Sequence, residues 1–341
     1  MKEQSIEFRK SQRYMVIFML TFFCLFAVAS NPAFAADYPN RSINFLLPYG
    51  PGGIIDITGR ALVEAANKHI NQPIVAINRP GGSGSISAMA VATSNPDGYT
   101  IGLCTASQML VAPHDPATPF HNLEGFTFIM NYGGNLHGYI TRSDASWKTW
   151  SEFINAARSQ PGKINVGITG APYNNYSGLL MSHVAERERI KFALIPFKSG
   201  AAVISALMGG HIDLYATAID PPTMSFIKQG KARPLAMADI KLPDYDKIPL
   251  LVELYDFPRD VQIHVAGVFG PKGLPESIAA KLEEVFTKAS KDEEFKNVMA
   301  KLLVPIRYLS RKEMRPFMDK AFTSTGEAIK KVREQMDKEK K

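Results

Sequence analysis

Four short stretches of this 341-residue chain combine glycine with uncharged hydrogen-bond donors. The first is Pro48-Tyr49-Gly50-Pro51-Gly52-Gly53-Ile54-Ile55-Asp56, and the second is Asn78-Arg79-Pro80-Gly81-Gly82-Ser83-Gly84-Ser85-Ile86. The third is Gly167-Ile168-Thr169-Gly170-Ala171-Pro172-Tyr173-Asn174-Asn175-Tyr176, and the fourth is Pro196-Phe197-Lys198-Ser199-Gly200-Ala201-Ala202. Each follows an apolar, strand-like run and opens a helix-like one. The chemistry such turns offer is anion binding. Glycine lets the backbone turn sharply, and a helix start leaves unpaired N–H groups carrying a partial positive charge. Gly52 and Gly53 shape the first turn beside Asp56. Ser83, Thr169 and Ser199 add hydroxyls, and Asn174 adds an amide. Tyr49, Tyr173 and Tyr176 add phenols and aromatic faces, and Lys198 adds a formal positive charge. Taken singly, each stretch reads equally well as a capped turn, with Asp56 or Ser199 serving as an N-cap. Four of them, two from each half of the chain, describe a pocket that wraps an anion in charge-assisted hydrogen bonds.

Catalytic patterns are poor by comparison. The chain has no H-E-x-x-H, no G-x-S-x-G, no Walker loop and no G-x-G-x-x-G. Ser225 and Lys228 match S-x-x-K, but the S-D-N and K-T-G segments that accompany it in acyl-transfer enzymes are missing. A secreted serine hydrolase using this pair is a remote alternative. The seven histidines are scattered, and no two stand at the spacing of helical metal ligands. His211 reads as a turn residue and His137 as structural, near a crossing between two halves. Trp147 and Trp150 read as packing. Neither a metal nor a cofactor is expected, and the chain is read as a binder without enzymatic activity.

With 45% apolar and 21% charged residues, the composition is that of a globular protein. The +7 formal charge is diffuse apart from the C-terminal lysines, so nucleic-acid binding is not expected. Lys2, Arg9, Lys10 and Arg13 precede an uncharged run from Tyr14 to Ala36, which ends in Asn31-Pro32-Ala33-Phe34-Ala35. That is the layout of a secretory signal peptide, with cleavage after Ala35. An uncleaved membrane anchor is the rival reading. Loss of the leader removes Cys24 and leaves Cys104 as a lone thiol, read as buried and structural. The product would be an exported, soluble protein, expected as a monomer.

The elements that must hold the turns alternate. Strands are expected at Ile43–Tyr49, Pro73–Asn78 and Tyr99–Thr105, with helices at Asp56–Ile70 and Ile86–Thr93 between them. The theme restarts with strands at Gly138–Thr141, Ile164–Ile168, Phe192–Pro196, Ile212–Ala216 and Arg233–Ala238. Helices are expected there at Trp147–Ser159, Tyr176–Arg187, Ala201–Met208 and Pro221–Gln229. Pro243–Pro258 reads as a surface connection and His264–Phe269 as a further strand. A long helix follows from Pro275, then helices at Glu293–Leu303 and Arg311–Gln335. Alternation of this kind builds parallel sheets with right-handed crossovers. The expected fold is therefore α/β and two-lobed, each lobe a mostly parallel sheet flanked by helices. Residues 1–35 form the leader, 36–138 with 261–341 lobe one, and 139–260 lobe two. The cleft between the lobes is the natural ligand site.

These turns, in this order, resemble those of the periplasmic solute-binding proteins of tripartite tricarboxylate transporters, often called the Bug family. The likeness rests on Pro51-Gly52-Gly53 with Asp56 and Arg60, on Asn78-Arg79-Pro80-Gly81-Gly82-Ser83-Gly84, and on Pro96-Asp97-Gly98-Tyr99-Thr100. Pro196-Phe197-Lys198, Leu207-Met208-Gly209-Gly210-His211-Ile212-Asp213 and Gly270-Pro271-Lys272-Gly273-Leu274-Pro275 extend it. The resemblance implies a Venus-flytrap fold of the periplasmic-binding type. It also implies capture of a small mono-, di- or tricarboxylate and delivery to an inner-membrane permease. Carried over by position, it implies ligand contact at Gly52, Gly53, Asp56, Ser83, Thr169 and Ser199. A ligand sensor that presents its closed state to a membrane kinase is an alternative. The third turn departs from the family pattern at Ile168, Tyr173 and Tyr176, as does the strand end Ala218-Ile219-Asp220-Pro221-Pro222.

Overall fold

The computed structural model describes residues 38–170, 175–242, 244–257 and 264–339. The expected leader, Tyr173 and Asn174 lie outside the described residues. Among the described residues eleven strands run in chain order as β1 (Ile43–Leu47), β2 (Ile74–Asn78), β3 (Thr100–Thr105), β4 (Phe126–Gly133), β5 (His137–Arg142), β6 (Asn165–Thr169), β7 (Ala193–Phe197), β8 (Leu214–Ala218), β9 (Ala232–Met237), β10 (Ala266–Pro271) and β11 (Ile306–Leu309). The helices are α1 (Ile54–Asn67), α2 (Ser85–Ala92), α3 (Trp150–Ser159), α4 (Tyr176–Glu188), α5 (Gly200–Met208), α6 (Pro221–Lys228), α7 (Leu251–Leu254), α8 (Glu276–Ser290), α9 (Glu293–Lys301) and α10 (Arg311–Glu339).

The strands form two sheets, one ordered β11-β4-β10-β3-β1-β2 and the other β7-β6-β8-β5-β9. In each, the strand–helix–strand units build a parallel part. In the first sheet β2, β1 and β3 are parallel, with Ile43 opposite Ile74 and Phe45 opposite Ile101. In the second, β7, β6 and β8 are parallel. The remaining strands add antiparallel neighbours: β10 and β11 join the first sheet through β3 and β4, and β5 pairs with β8 and β9. The two-lobed α/β architecture is as expected, but the sheets are mixed rather than mostly parallel. The chain passes from one sheet to the other between β4 and β5, and returns between β9 and β10.

Two antiparallel strands, β4 and β11, have no counterpart in the sequence reading. Asn131 shows what holds them. It is fully buried, accepts the Ala266 N–H at 3.0 Å, and donates to the carbonyls of Arg307 at 2.8 Å and His264 at 3.3 Å. One amide thus joins β4, β10 and the start of β11, where the ladder shifts register.

Apolar faces close both lobes. Leu46, Phe126, Phe128 and Phe269 pack with Met314 and Met318 of α10. Trp150, Phe153, Val166 and Leu180 pack with Leu251, Tyr255 and Phe257 on one face of the second sheet. The stretch expected as a surface connection therefore supplies core: α7 and its flanks turn their apolar residues inward. Ala328 and Ile329 of α10 also belong to this second core, although 261–341 was expected to serve lobe one alone. Trp150 donates to the Tyr255 hydroxyl at 2.9 Å and Trp147 to Thr141 at 3.1 Å, so both indoles pack rather than line a site. Cys104 is a buried free thiol whose pKa burial pushes up to about 12. No helix among the described residues is long and apolar enough to cross a membrane.

Candidate functional site

The carboxyl ends of the parallel strands of both sheets open on a shared cavity of about 590 Å³. From the first sheet it is lined by the turns after β1, β2 and β3, through Tyr49, Gly53, Ile54, Pro80, Ser83, Gly84 and Thr105. From the second it is lined by the turns after β6, β7 and β8, through Thr169, Tyr176, Lys198, Ser199, Thr217 and Asp220. Asn135 and His137 line it where the chain crosses between the sheets. Helix starts recur on this wall: α1 begins at Ile54, α2 at Ser85, α4 at Tyr176, α5 at Gly200 and α6 at Pro221. The first-turn N–H groups of a helix have no acceptor within it, and the helix dipole makes that end positive.

The second glycine turn has an unusual backbone. Gly81, Gly82, Ser83 and Gly84 all have positive φ, and Ser83 does so at 54° despite its side chain. Left-handed geometry is sparsely populated by residues with a Cβ, and here it sets the serine on the cavity wall. Its Oγ lies 3.1 Å from where a Cβ on Gly170 would stand, so turns from the two sheets meet across the cavity.

The expected site residues divide into three groups. Tyr49, Gly53, Ser83, Thr169, Tyr176, Lys198 and Ser199 share the cavity wall. Tyr49 and Thr105 share a hydrogen bond of 3.2 Å between hydroxyls, and burial raises the phenol's pKa. Thr169 and Thr217 are joined at 2.7 Å. Ser199 caps α5 by accepting the Ala202 N–H. Gly52 and Asp56 are not on the wall. Asp56 is also not the N-cap of α1, a place that Gly53 takes without any side-chain bond. The buried Asp56 carboxylate instead accepts Gly52 N–H at 3.0 Å, Arg60 Nε at 2.9 Å and Asn78 Nδ2 at 2.7 Å. It ties the first turn to β2 and positions Gly53 from behind. Tyr173 and Asn174 form the third group, outside the described residues.

Thr105, Asn135, Thr217 and Asp220 were not expected on this wall. Thr105 and Asp220 sit at strand ends just before new helical turns, the same local pattern as the four glycine turns but without the glycines. His137, expected to be structural, lines the cavity and also has such a role. Its Nδ1 pairs with Ser177 Oγ at 2.8 Å and its ring edge meets Tyr176. Burial lowers its pKa to about 4, so it is a neutral donor or acceptor near pH 7. Among the described residues of the wall, Lys198 is the single cation and Asp220 the single carboxylate. Ser225 and Lys228 are exposed on α6 and do not line the cavity, and Ser225 Oγ accepts from Gln229. The pair forms no nucleophile site there.

A family model described as the tripartite tricarboxylate transporter family receptor matches residues 58–333. The chain belongs to this family. A protein from the gbd 5′ region of Cupriavidus necator is 29% identical to this receptor-family chain over 308 residues, 89% of the chain and 92% of the relative. The solved structure of the periplasmic binding protein BugD is similar in fold, with a TM-score of 0.75 at 24% identity. That likeness covers 86% of this chain and 98% of BugD. MatC from Rhodopseudomonas palustris, solved with bound malate, matches at a TM-score of 0.74 and 20% identity over 86% of this chain and all of MatC (100%). At these identities the likeness speaks to the fold: two lobes, as in periplasmic binding proteins.

Proposed function

We propose that this chain is an extracytoplasmic solute-binding protein that captures a small carboxylate in the inter-sheet cavity and delivers it to a membrane permease. The observation that carries the reading is the convergence of helix starts from both sheets on one cavity. The starts of α1, α2, α4 and α5 supply N–H groups to an anion without a fixed ion pair, whereas α6 opens with two prolines and its Thr223 N–H is held by Asp220. Gly53, Ser83, Thr169, Ser199 and Lys198 hold the carboxylate, and Gly52 and Asp56 shape the first turn. Family membership supports the transport role, and the malate held by MatC supports the ligand class. The N-terminal sequence pattern supports export, with the leader removed near Ala35 and the protein acting as a monomer in the periplasm.

The test is a thermal-shift screen of residues 36–341 against mono-, di- and tricarboxylates, with neutral sugars and simple amines as controls. A carboxylate at 100 times its Kd is expected to add about 2.7 kcal/mol to stability. A shift with sugars or amines and none with any acid overturns the reading.

A further inference from the structure

Asp220 is a carboxylate on the wall of a cavity otherwise suited to anions. It is 4% exposed. A carboxylate taken out of water is costly unless each oxygen finds donors. Its Oδ1 accepts two hydrogen bonds from Thr223, at 3.0 Å from the backbone N–H and 2.6 Å from the hydroxyl, and so caps α6. Among the described residues Oδ2 has no such donor. It lies against the start of α5, 2.7 Å from where a Cβ on Gly200 would stand. Asp220 and Lys198 both line the cavity, yet neither has an ion-pair partner among the described residues. A cap needs only one oxygen and no charge, and serine or asparagine serves as well. The second oxygen and the charge are thus left to the cavity.

We infer that the ligand carries a cationic amine as well as a carboxylate, and that the amine sits on Asp220 Oδ2. This rests on the carboxylate reading above and narrows it to zwitterions of the amino-acid type. The helix starts and Lys198 take the acid end, and Asp220 takes the ammonium end. A ligand bearing only carboxylates would bring negative charge next to Asp220 and meet repulsion there. Asp220 is then a specificity-determining residue, selecting against acids that lack an amine.

Three ligand triads test this by calorimetric titration of residues 36–341. They are aspartate, malate and succinate; glutamate, 2-hydroxyglutarate and glutarate; and phenylalanine, 3-phenyllactate and 3-phenylpropionate. Within a triad only the group on carbon two differs: ammonium, hydroxyl or hydrogen. In at least one triad the amine is expected to bind ~10-fold or more tightly than both partners, as one added charge-assisted bond implies. Asp220→Asn keeps the cap and removes the charge. It is expected to abolish that preference, weakening the amine member about tenfold and tightening the hydroxyl and hydrogen members as the repulsion is relieved. The wild-type comparison decides even if the variant folds poorly. An acid without an amine that binds as tightly as its amine partner in every triad overturns this inference and leaves the carboxylate reading standing. A hydroxyl member that matches the amine does the same. Binding by no acid in any form, here and in the thermal screen, removes both.

Discussion

His137 stands on the cavity wall as a neutral imidazole, and that neutrality links pH to stability. Its folded pKa is about 4, lowered first by burial, with Asp239 raising it and His264 lowering it further. The unfolded chain has an ordinary histidine near 6.5. Above that value both states are neutral and the residue adds no pH dependence. As pH falls from about 6.5 toward 4, the unfolded state takes up a proton that the native state refuses, so stability falls across that window. At pH 4.5 the loss traceable to this residue is about 2–3 kcal/mol. His137→Gln can still bond Ser177 and cannot titrate. Urea midpoints at pH 7 and pH 4.5 are expected to separate less in the variant than in the wild type. Equal separation would mean that His137 is protonated in the native state at pH 4.5. The same neutrality matters for binding: near pH 7 the imidazole neither attracts an anion nor repels an ammonium. The charge pattern of the wall is set by Lys198 and Asp220.

The helix starts are only as useful as their packing, and the junction of α5 with α6 gives a prediction with an unambiguous sign. Alanine in a helix is favoured over glycine by about 1 kcal/mol, so Gly200→Ala in an open site would raise stability. Here the added methyl would stand 2.7 Å from Asp220 Oδ2 and 3.2 Å from the Tyr215 hydroxyl. Both neighbours are held, Asp220 by Thr223 and Tyr215 by the Ala218 carbonyl. Gly200→Ala is therefore expected to destabilise by about 1–3 kcal/mol, read from the urea midpoint at unchanged slope. A rise in the midpoint would show that Asp220 does not lie against α5. This junction also marks what was legible in the sequence. The strand–turn–helix grammar located β1, β2, β3, β6, β7 and β8 and four of the turns at their ends, because glycine and donor clusters between apolar runs are local signals. Asp220 stands in the same grammar, but Pro221-Pro222 replaces glycine there and masks it as a plain helix start. Asn135 and Thr217 carry no local signal, since only the crossing of the chain and the pairing of β5 with β8 bring them to the wall. β4 is buried along nearly all its length, with no alternation to betray it. β11 is four residues long and mostly exposed, and only pairing with β4 identifies it.

The two lobes share more than the two chain crossings, because α10 runs from one core to the other. Its first half packs Met314, Met318 and Ala321 against Phe126, Phe128 and Phe269, and its later turns bury Ala328 and Ile329 in the core around Trp150 and Leu180. Arg333 adds a bond to the His114 carbonyl at 2.9 Å. A helix fixed at both cores limits how far the lobes can part, while the cavity lies at the strand ends and draws no residue from α10. Cleft-closing motion needs hinges that bend and faces that stay packed. On this arrangement α10 is a packed face, and its contacts are expected to persist whether or not ligand is held. Ile329 is 3% exposed, so Ile329→Ala removes most of a buried side chain from the second core. The expected cost is about 2–4 kcal/mol in chemical denaturation. Ligand affinity, measured well below the unfolding midpoint, should be unchanged if α10 packs equally in the open and closed states. A variant that keeps wild-type stability would show that the end of α10 is not docked. A variant that binds more tightly or more weakly would show instead that α10 slides on the second core as the cavity closes, making it part of the hinge.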